Sequence, residues 1–505
     1  MTIDPNTFKI DLEDELATQR FAEDLALTIK QGDCIALSGD LGAGKTTLTR
    51  AVLRAMADQQ GLEVPSPTFT LVQQYDLRIP IGHFDLYRLG DPSEIFELGL
   101  DDILSDGAAF IEWPEMAEEE LPKDLIHLKM TGLDDQRSIN ITGPHSFMVR
   151  LERSIRIRTF LNESGYEKAS RRFLLGDAST RTYERMIHSN SDPMILMNLP
   201  KMADGPIIKD GKTYSEIAHL AEDVLPFVAI AKYLRDIGLK APEIYHSSFD
   251  DGFLIIEDLG AEKPINNQNV PITERYELAI DVLAKLHNHN TISSIEIDAD
   301  HTHVIPHYDT QIMQMEIELL PDWYLSFKQG TAADPTDKTS FIEIWRQLFE
   351  KLASSEKALV LRDYHSPNII WRPEADGLDQ IGIIDFQDAL IGPSAYDVAS
   401  LCQDARVTVS AELEDLLLER YIQIRILLDE HFDEHMFRQS YAIMAAQRAS
   451  KVIGIFVRLN LRDKKPEYLK HIPRIEQYLE RVMRHEVLKP LRKWLEEAQI
   501  LQSES

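Results

Sequence analysis

The sequence predicts a small α/β domain followed by a larger, bilobal α+β domain, and three observations carry that expectation. At 505 residues the chain is too long for one hydrophobic core and suits about two to four domains. A short apolar run, Cys34-Ile35-Ala36-Leu37, leads into Gly39-Asp40-Leu41-Gly42-Ala43-Gly44-Lys45-Thr46 and then a helical stretch. That is the strand, loop and helix a G-x-x-x-x-G-K-[ST] phosphate loop requires. Far downstream, Asp363 and Asn368 stand five apart in Arg362-Asp363-Tyr364-His365-Ser366-Pro367-Asn368, and the apolar run 381–384 delivers Asp385. This is the spacing of a phosphotransfer loop and its metal-binding aspartate.

Composition narrows the function classes. A net charge of −31 argues against direct binding of nucleic acid, which relies on clustered Lys and Arg, so a role on RNA is expected to run through a protein partner. The two cysteines, Cys34 and Cys402, make neither a disulfide framework nor a zinc site and suit a reducing compartment. The start, Met1-Thr2-Ile3-Asp4-Pro5, lacks a basic segment followed by an apolar core, and no uncharged stretch is long enough to cross a bilayer. A cytoplasmic protein without membrane contact is expected.

Within the first domain, residues 13–30 read as an amphipathic helix with Leu16, Phe21, Leu25 and Leu27 on its apolar side. In the loop that follows the first apolar strand, Gly39, Asp40, Leu41, Gly42, Ala43 and Gly44 are expected to wrap backbone N–H groups around phosphate oxygens. Lys45 then reaches the β- and γ-phosphates, Thr46 binds Mg²⁺, and Thr47 continues the nucleotide-binding turn at a helix N-terminus. Ser66-Pro67-Thr68 sits where such proteins keep a hydroxyl-bearing switch, or is a plain turn. Two further apolar strands end in carboxylates, His83-Phe84-Asp85 and Phe110-Ile111-Glu112, and Trp113 follows the second. Asp85 and Glu112 are candidates to order metal and water, and Trp113 to pack on the nucleotide.

The loop GDLGAGKTTLTR with SPTFTLVQQYD, HFDLYRL and IEWPE, in this order, resembles TsaE, the ATPase of bacterial tRNA N6-threonylcarbamoyladenosine (t6A37) synthesis. The resemblance implies a small α/β P-loop NTPase fold and ATP hydrolysis that supports a TsaB–TsaD complex. It carries over Thr46, Asp85, Glu112 and Trp113 as nucleotide-site residues, with Asp85 and Glu112 catalytic and Glu112 also a metal ligand, and places Thr18 near the base.

The runs 125–130 and 138–141 read as a hairpin that closes the first domain, and Gly143-Pro144-His145-Ser146 as the boundary. We expect an ATPase domain over 1–145, a linker over 146–154 and a kinase-like domain over 155–500, its small lobe at about 155–260 and its large lobe at about 261–500.

In the second domain, the stretch 173–186 reads as two strands around a small-residue turn, the position of a phosphate-covering loop, with Ser179 on the nucleotide. Residues 221–236 follow a helical pattern, with Glu222 placed as a helix-C glutamate. The strand and hinge 252–260 offer backbone groups to adenine around Glu257. Asp363 is the candidate catalytic base, with Asn368 and Asp385 holding Mg²⁺; His365 reads equally as a structural histidine or a helper. The run Pro193-Met194-Ile195-Leu196-Met197-Asn198 carries no lysine where a kinase strand would, and Lys201 lies nearby.

The stretches GDASTRTY, GFLIIEDLG, LAKLH, RDYHSPNI, IIDFQDALIGPSAYDVASLCQDAR and QRASKVIGIFVRLNLRDKKPEYLKHIPR resemble the aminoglycoside phosphotransferase superfamily, and within it AmgK-type sugar kinases. The resemblance implies a protein-kinase-like fold and ATP-dependent phosphorylation of the anomeric hydroxyl of N-acetylmuramate and N-acetylglucosamine in cell-wall recycling. An acidic sugar calls for a local cation, which Arg448, Lys451 or Arg458 supplies unless they line a solvated helix face. Trp323 reads as a core aromatic or a wall of the sugar site. His287, His289, His301, His303 and His307 cluster without convincing metal spacing. Two alternatives stay open: another acceptor such as choline, homoserine or an aminoglycoside, and a catalytically silent interaction module.

Overall fold

In the computed structural model, which describes residues 7–132, 136–174, 181–188, 192–200, 207–209, 211–330 and 335–501, the short apolar runs of the first third become strands of one sheet. The elements are β1 (Thr7–Leu12), α1 (Glu15–Thr28), β2 (Cys34–Ser38), α2 (Lys45–Ala57), β3 (Val72–Asp76), β4 (Pro80–Asp85), α3 (Glu94–Glu97), α4 (Leu100–Asp106), β5 (Ala108–Glu112), β6 (Ile126–Thr131) and β7 (Arg137–Thr142). The strands lie in the order β1-β7-β6-β2-β5-β4-β3, with β6, β2, β5 and β4 parallel. β2 and β5 are buried along nearly their whole length, as strands covered on both faces must be. Phe21, Leu25, Val52 and Phe110 belong to the core on one face, and Phe84, Ile95, Ile103 and Ile111 to the core on the other. Leu16, expected on the buried side of α1, is 49% exposed. It stands nine residues before Leu25, two and a half turns, so the two point to opposite sides of the helix.

Residues 146–154, expected as a linker, are helical instead and form the first half of α5 (His145–Glu163). The helix serves two cores: Phe147, Met148 and Leu151 join the core under the first sheet, while Ile157, Phe160 and Leu161 pack with Met186, Leu196 and Phe253. That second core lies under a five-stranded sheet built from β8 (Ser170–Leu174), β9 (Thr182–Ile187) and β10 (Met194–Asn198), then, beyond β11 (Ile207–Lys209), β12 (Lys212–Thr213), α6 (Tyr214–Ala218) and α7 (Leu225–Asp236), from β13 (Ile244–Ser248) and β14 (Phe253–Glu257). Met1–Leu199 with His246–Ser248 and Phe253–Ile256 form one compact unit; Pro200–Tyr245, Phe249–Gly252 and Glu257–Ser505 form the other. Glu222 precedes α7 and is exposed, because Pro226 takes a first-turn position and starts the helix there; it is not a helix-C glutamate.

A buried ionic cluster ties α1, α5, β8 and β9 together. Arg171, 1% exposed, grips both oxygens of Glu184 at 2.7 and 2.9 Å and donates to Asp24 at 2.7 Å and to the Ser154 carbonyl at 3.0 Å. Arg158 donates to the same Asp24 at 2.8 Å. Burial works to lower the Arg171 guanidinium, but Glu184 and Asp24 outweigh it and keep it charged. Removing one partner of such a cluster leaves buried charge without compensation. Arg171→Ala is therefore expected to destabilise this unit by about 3–5 kcal/mol, read as a lower urea midpoint with an unchanged slope.

The second unit continues with α8 (Thr273–His287), β15 (Ser294–Glu296), β16 (Thr302–Val304), α9 (Thr310–Leu319), α10 (Ser326–Gln329), α11 (Pro335–Leu352), β17 (Lys357–Val360), β18 (Ile369–Trp371), β19 (Ile381–Ile383), β20 (Leu390–Pro393), α12 (Ala395–Cys402), α13 (Ala411–Leu428), α14 (Glu434–Leu461), α15 (Ile472–Val482) and α16 (Lys489–Glu497). β17 pairs with β20 and β18 with β19, both antiparallel, and these two pairs frame the segment 361–368. Among the described residues, no helix is long and apolar enough to cross a membrane.

Candidate functional sites

In the first unit, the loop 39–44 joins the buried β2 to α2; all three of its glycines have left-handed backbone, Gly42 with φ 84°, and two of them also leave no room for a Cβ. Gly39 has φ 144° and Gly44 φ 95°. A Cβ would meet the Met130 carbonyl oxygen at 2.4 Å in the first and Arg137 Nε at 2.4 Å in the second. Asp40, Leu41 and Gly42 are exposed, and Ala43 is buried against the core. Lys45 opens α2 and folds back, its Nζ donating to the carbonyls of Gly39 and Asp40 at 2.6 and 3.0 Å and lying 3.7 Å from the Trp113 ring centroid. Burial pulls the Lys45 ammonium below its ordinary value, against Glu112, Glu115, Asp85 and Asp40.

The two strand-end carboxylates meet because β4 and β5 are parallel and in register, Asp85 opposite Glu112. Glu112 accepts from Thr46 Oγ1 at 2.8 Å and hydrogen-bonds His83 Nε2 at 2.9 Å. Asp85 accepts from the hydroxyls of Ser66 at 2.6 Å and Thr68 at 3.0 Å, so the segment 66–68 is tied to the site. Thr18 is buried on α1 and lines, with Glu15, Gln19, Thr47 and Arg50, a groove between α1 and α2. His83 and Arg137 are the residues at this site to which the sequence reading gives no role.

In the second unit, the β18–β19 pairing sets Ile369 opposite Ile383, which places Asn368 beside Asp385. Asn368 Nδ2 donates to Asp385 Oδ2 at 3.3 Å and to the Asp363 carbonyl at 2.9 Å, and Gln387 Nε2 donates to Asp385 Oδ1 at 3.1 Å. Arg362 and Asp385 both adopt left-handed backbone, φ 68° and 60°, strain of a kind that concentrates where side chains must be aimed at a reacting group. Protein surrounds Asp363 on most sides, yet its side chain is open to solvent. Burial works to raise its carboxyl; Lys451, His365, Arg448 and Arg362 outweigh that and hold it below the ordinary value.

The loop is fixed from beneath by acids that the sequence reading does not single out. Asp397, at the start of α12, accepts from the amides of Leu361 and Arg362 at 2.6 and 2.9 Å. Asp404 accepts from the Ser366 amide at 2.8 Å and lies 3.7 Å from His365 Nδ1. Burial would raise Asp404, but hydrogen bonding and charge from His365 outweigh it and keep it ionised. Glu316 on α9 is fully buried and joins Arg362 at 2.8 Å, Lys451 at 2.7 Å and Gln447 at 2.9 Å. Lys451, Arg448 and Arg458 do not line a solvated face, the alternative left open by the sequence: Arg448 is buried and the other two are half-buried. Arg458 lies over the Tyr214 ring.

Among the other expected residues, Glu257 holds Lys240 through both oxygens at 2.6 and 2.8 Å. β10 carries no cation, and Ser179 and Lys201 lie outside the described residues. His287 is buried against the Tyr421 hydroxyl at 2.8 Å, His301 bonds Asp298, and Trp323 is half-buried. Among the described residues, no three His, Cys, Asp or Glu side chains converge as a metal cage. The hard oxygens of Asp385 and Asn368, and of Thr46 and Glu112, suit Mg²⁺, which takes few protein ligands and completes its shell with phosphates and water.

Comparison with known proteins covers both halves. Residues 12–139 match the family model described as threonylcarbamoyl adenosine biosynthesis protein TsaE, and residues 170–434 the one described as phosphotransferase enzyme family. The chain is 31% identical over 358 residues to an N-acetylmuramate/N-acetylglucosamine kinase of Caulobacter vibrioides, covering 68% of this chain and 96% of that protein. A Pseudomonas aeruginosa protein of the same name is 33% identical over 51% of this chain and 73% of its own length. A tRNA threonylcarbamoyladenosine biosynthesis protein TsaE of Rickettsia bellii is 40% identical over 26% of this chain and 94% of its own length.

Proposed function

Since the chain belongs to the phosphotransferase enzyme family and, through its N-terminal part, to the TsaE family, we propose that it is two ATP-using enzymes in series. Residues 1–145 hydrolyse ATP in support of t6A37 formation with a TsaB–TsaD-like complex, and residues 155–500 phosphorylate the anomeric hydroxyl of N-acetylmuramate and N-acetylglucosamine. Both act in the cytoplasm.

The observation that carries the kinase reading is the convergence of Asp363, Asn368 and Asp385 on one loop pair, in a chain spanning nearly the whole of a sugar kinase. Asp363 is ionised and open to solvent, so it orients the acceptor hydroxyl and takes its proton as that oxygen bonds to the γ-phosphorus of ATP and the bond to the bridging oxygen breaks, releasing ADP. Asp397 and Asp404 hold the loop so that this carboxylate need not reorganise. Asp385 and Asn368 would hold a Mg²⁺ ion, which would supply charge neutralisation to the transferring phosphoryl group. In the first domain, Lys45 and the loop amides receive the nucleotide phosphates, Thr46 and Glu112 would hold Mg²⁺, and Asp85 links the hydroxyls of Ser66 and Thr68 to the same centre.

An ADP-release assay with N-acetylmuramate, N-acetylglucosamine, choline, homoserine and kanamycin tests the kinase half. Turnover confined to the two amino sugars is the expected result; turnover with another acceptor, or with none, contradicts it. For the first half, t6A formation by a TsaB–TsaD complex is expected to depend on addition of this chain.

A further inference from the structure

The turn of α14 that carries Gln447, Arg448 and Lys451 is docked against the residue preceding Asp363. Gln447 and Lys451 both bind Glu316, at 2.9 and 2.7 Å, and Glu316 in turn holds Arg362 at 2.8 Å. Arg448 lies between these two anchors and is 6% exposed. Its neighbours' charges are committed, Lys451 and Arg362 sharing one oxygen of Glu316, while Arg448 makes no hydrogen bond or ion pair among the described residues. Besides His365, which lies against Asp404, three cations, Arg362, Arg448 and Lys451, thus face two carboxylates, Glu316 and Asp363. Asp363 must be free to meet the acceptor hydroxyl, so one buried positive charge remains without a permanent partner. An unpaired buried guanidinium is costly, and its planar fork fits a carboxylate through two hydrogen bonds.

Building on the sugar-kinase reading, we propose that Arg448 is a specificity-determining residue that binds the carboxylate of an acidic acceptor sugar. N-acetylmuramate carries such a group, on its lactyl ether, and N-acetylglucosamine does not. The same fork would also fit a phosphate of ATP. Placement decides for the acceptor: Arg448 shares its helical turn with the groups that flank Asp363, whereas the candidate Mg²⁺ ligands Asn368 and Asp385 stand just before β18 and just after β19.

Steady-state kinetics of full-length Arg448→Gln and Arg448→Lys with both sugars and with ATP test this. For Arg448→Gln, kcat/KM for N-acetylmuramate is expected to fall about 10- to 100-fold, chiefly through KM. N-acetylglucosamine is expected to lose less than about threefold, the KM for ATP to hold, and Arg448→Lys to recover part of the loss. An equal loss for the two sugars, or a raised KM for ATP, overturns the assignment in favour of a phosphate-binding or structural role. A wild-type protein that phosphorylates neither sugar overturns the sugar-kinase reading and this assignment with it, an outcome distinct from the others.

Discussion

Replacing Asp363 by asparagine is expected to lower kcat for sugar phosphorylation by about 10²- to 10⁴-fold, the range supplied by a positioned general base, with little change in the KM for the sugar. Asparagine preserves shape and cannot accept the proton. The loop should survive the change, because its anchors are elsewhere: Asp397 on the Leu361 and Arg362 amides and Asp404 on the Ser366 amide. Thermal unfolding of the variant is accordingly expected to match the wild type, which separates lost chemistry from lost structure. The cations around Asp363 keep its carboxyl below the ordinary carboxylate range. Its protonation therefore puts no acid limb on kcat/KM at pH 5 and above, and stopped-time assays from pH 5 to 8 check this.

Lys45→Ala is expected to reduce ATP hydrolysis by the N-terminal domain about 10²-fold or more, in line with removal of a single preorganised donor to a phosphoryl group, while sugar phosphorylation continues. Lys45 is buried, bridges the carbonyls of Gly39 and Asp40 and lies over Trp113. Alanine removes the ammonium that both the loop and the phosphates use. Phosphate release with the partner complex present, beside sugar phosphorylation in the same preparation, checks both halves of the expectation. Loss of both activities from either single variant of a folded protein would contradict two separate centres.

The parts legible in sequence were those where backbone geometry and chemistry are encoded together over a few residues. Gly39 to Thr46 is one, since glycines, a lysine and a hydroxyl must follow a buried strand. Asp363, Asn368 and Asp385 are another, because a short loop and one antiparallel pairing bring them together. The strand-ending Asp85 and Glu112, and Trp113 just after the second strand, were readable for the same reason. What was not legible depends on distant pairing. β1 alternates Phe8, Ile10 and Leu12 with polar residues, a strand pattern that is short and lies at the chain end, and its partner β7 is more than 120 residues away by register. The helical course of 146–154 was hidden by Pro144, which reads as a break but stands at the N-cap of α5. Asp397, Asp404 and Glu316 look like ordinary acids in sequence; only the fold shows that two of them hold loop amides and the third balances Arg362 and Lys451.

One departure from the usual kinase pattern, a β10 without a lysine, has a packing reason. β10 is an apolar strand in the core of the five-stranded sheet, with Met194 and Leu196 packed on Ile157 and Phe160 of α5. Its buried positions are taken up by the packing that binds this sheet to α5.

Phosphorus NMR of the purified chain with Mg-ATP and N-acetylmuramate or N-acetylglucosamine, with Asp363→Asn in parallel, reads out anomeric phosphorylation and its dependence on Asp363. A sugar 1-phosphate resonance is expected with each sugar and is expected to be absent or strongly reduced in the variant. A spectrum holding only ATP, ADP and inorganic phosphate with both sugars, or a sugar phosphate that persists undiminished in Asp363→Asn, would contradict it.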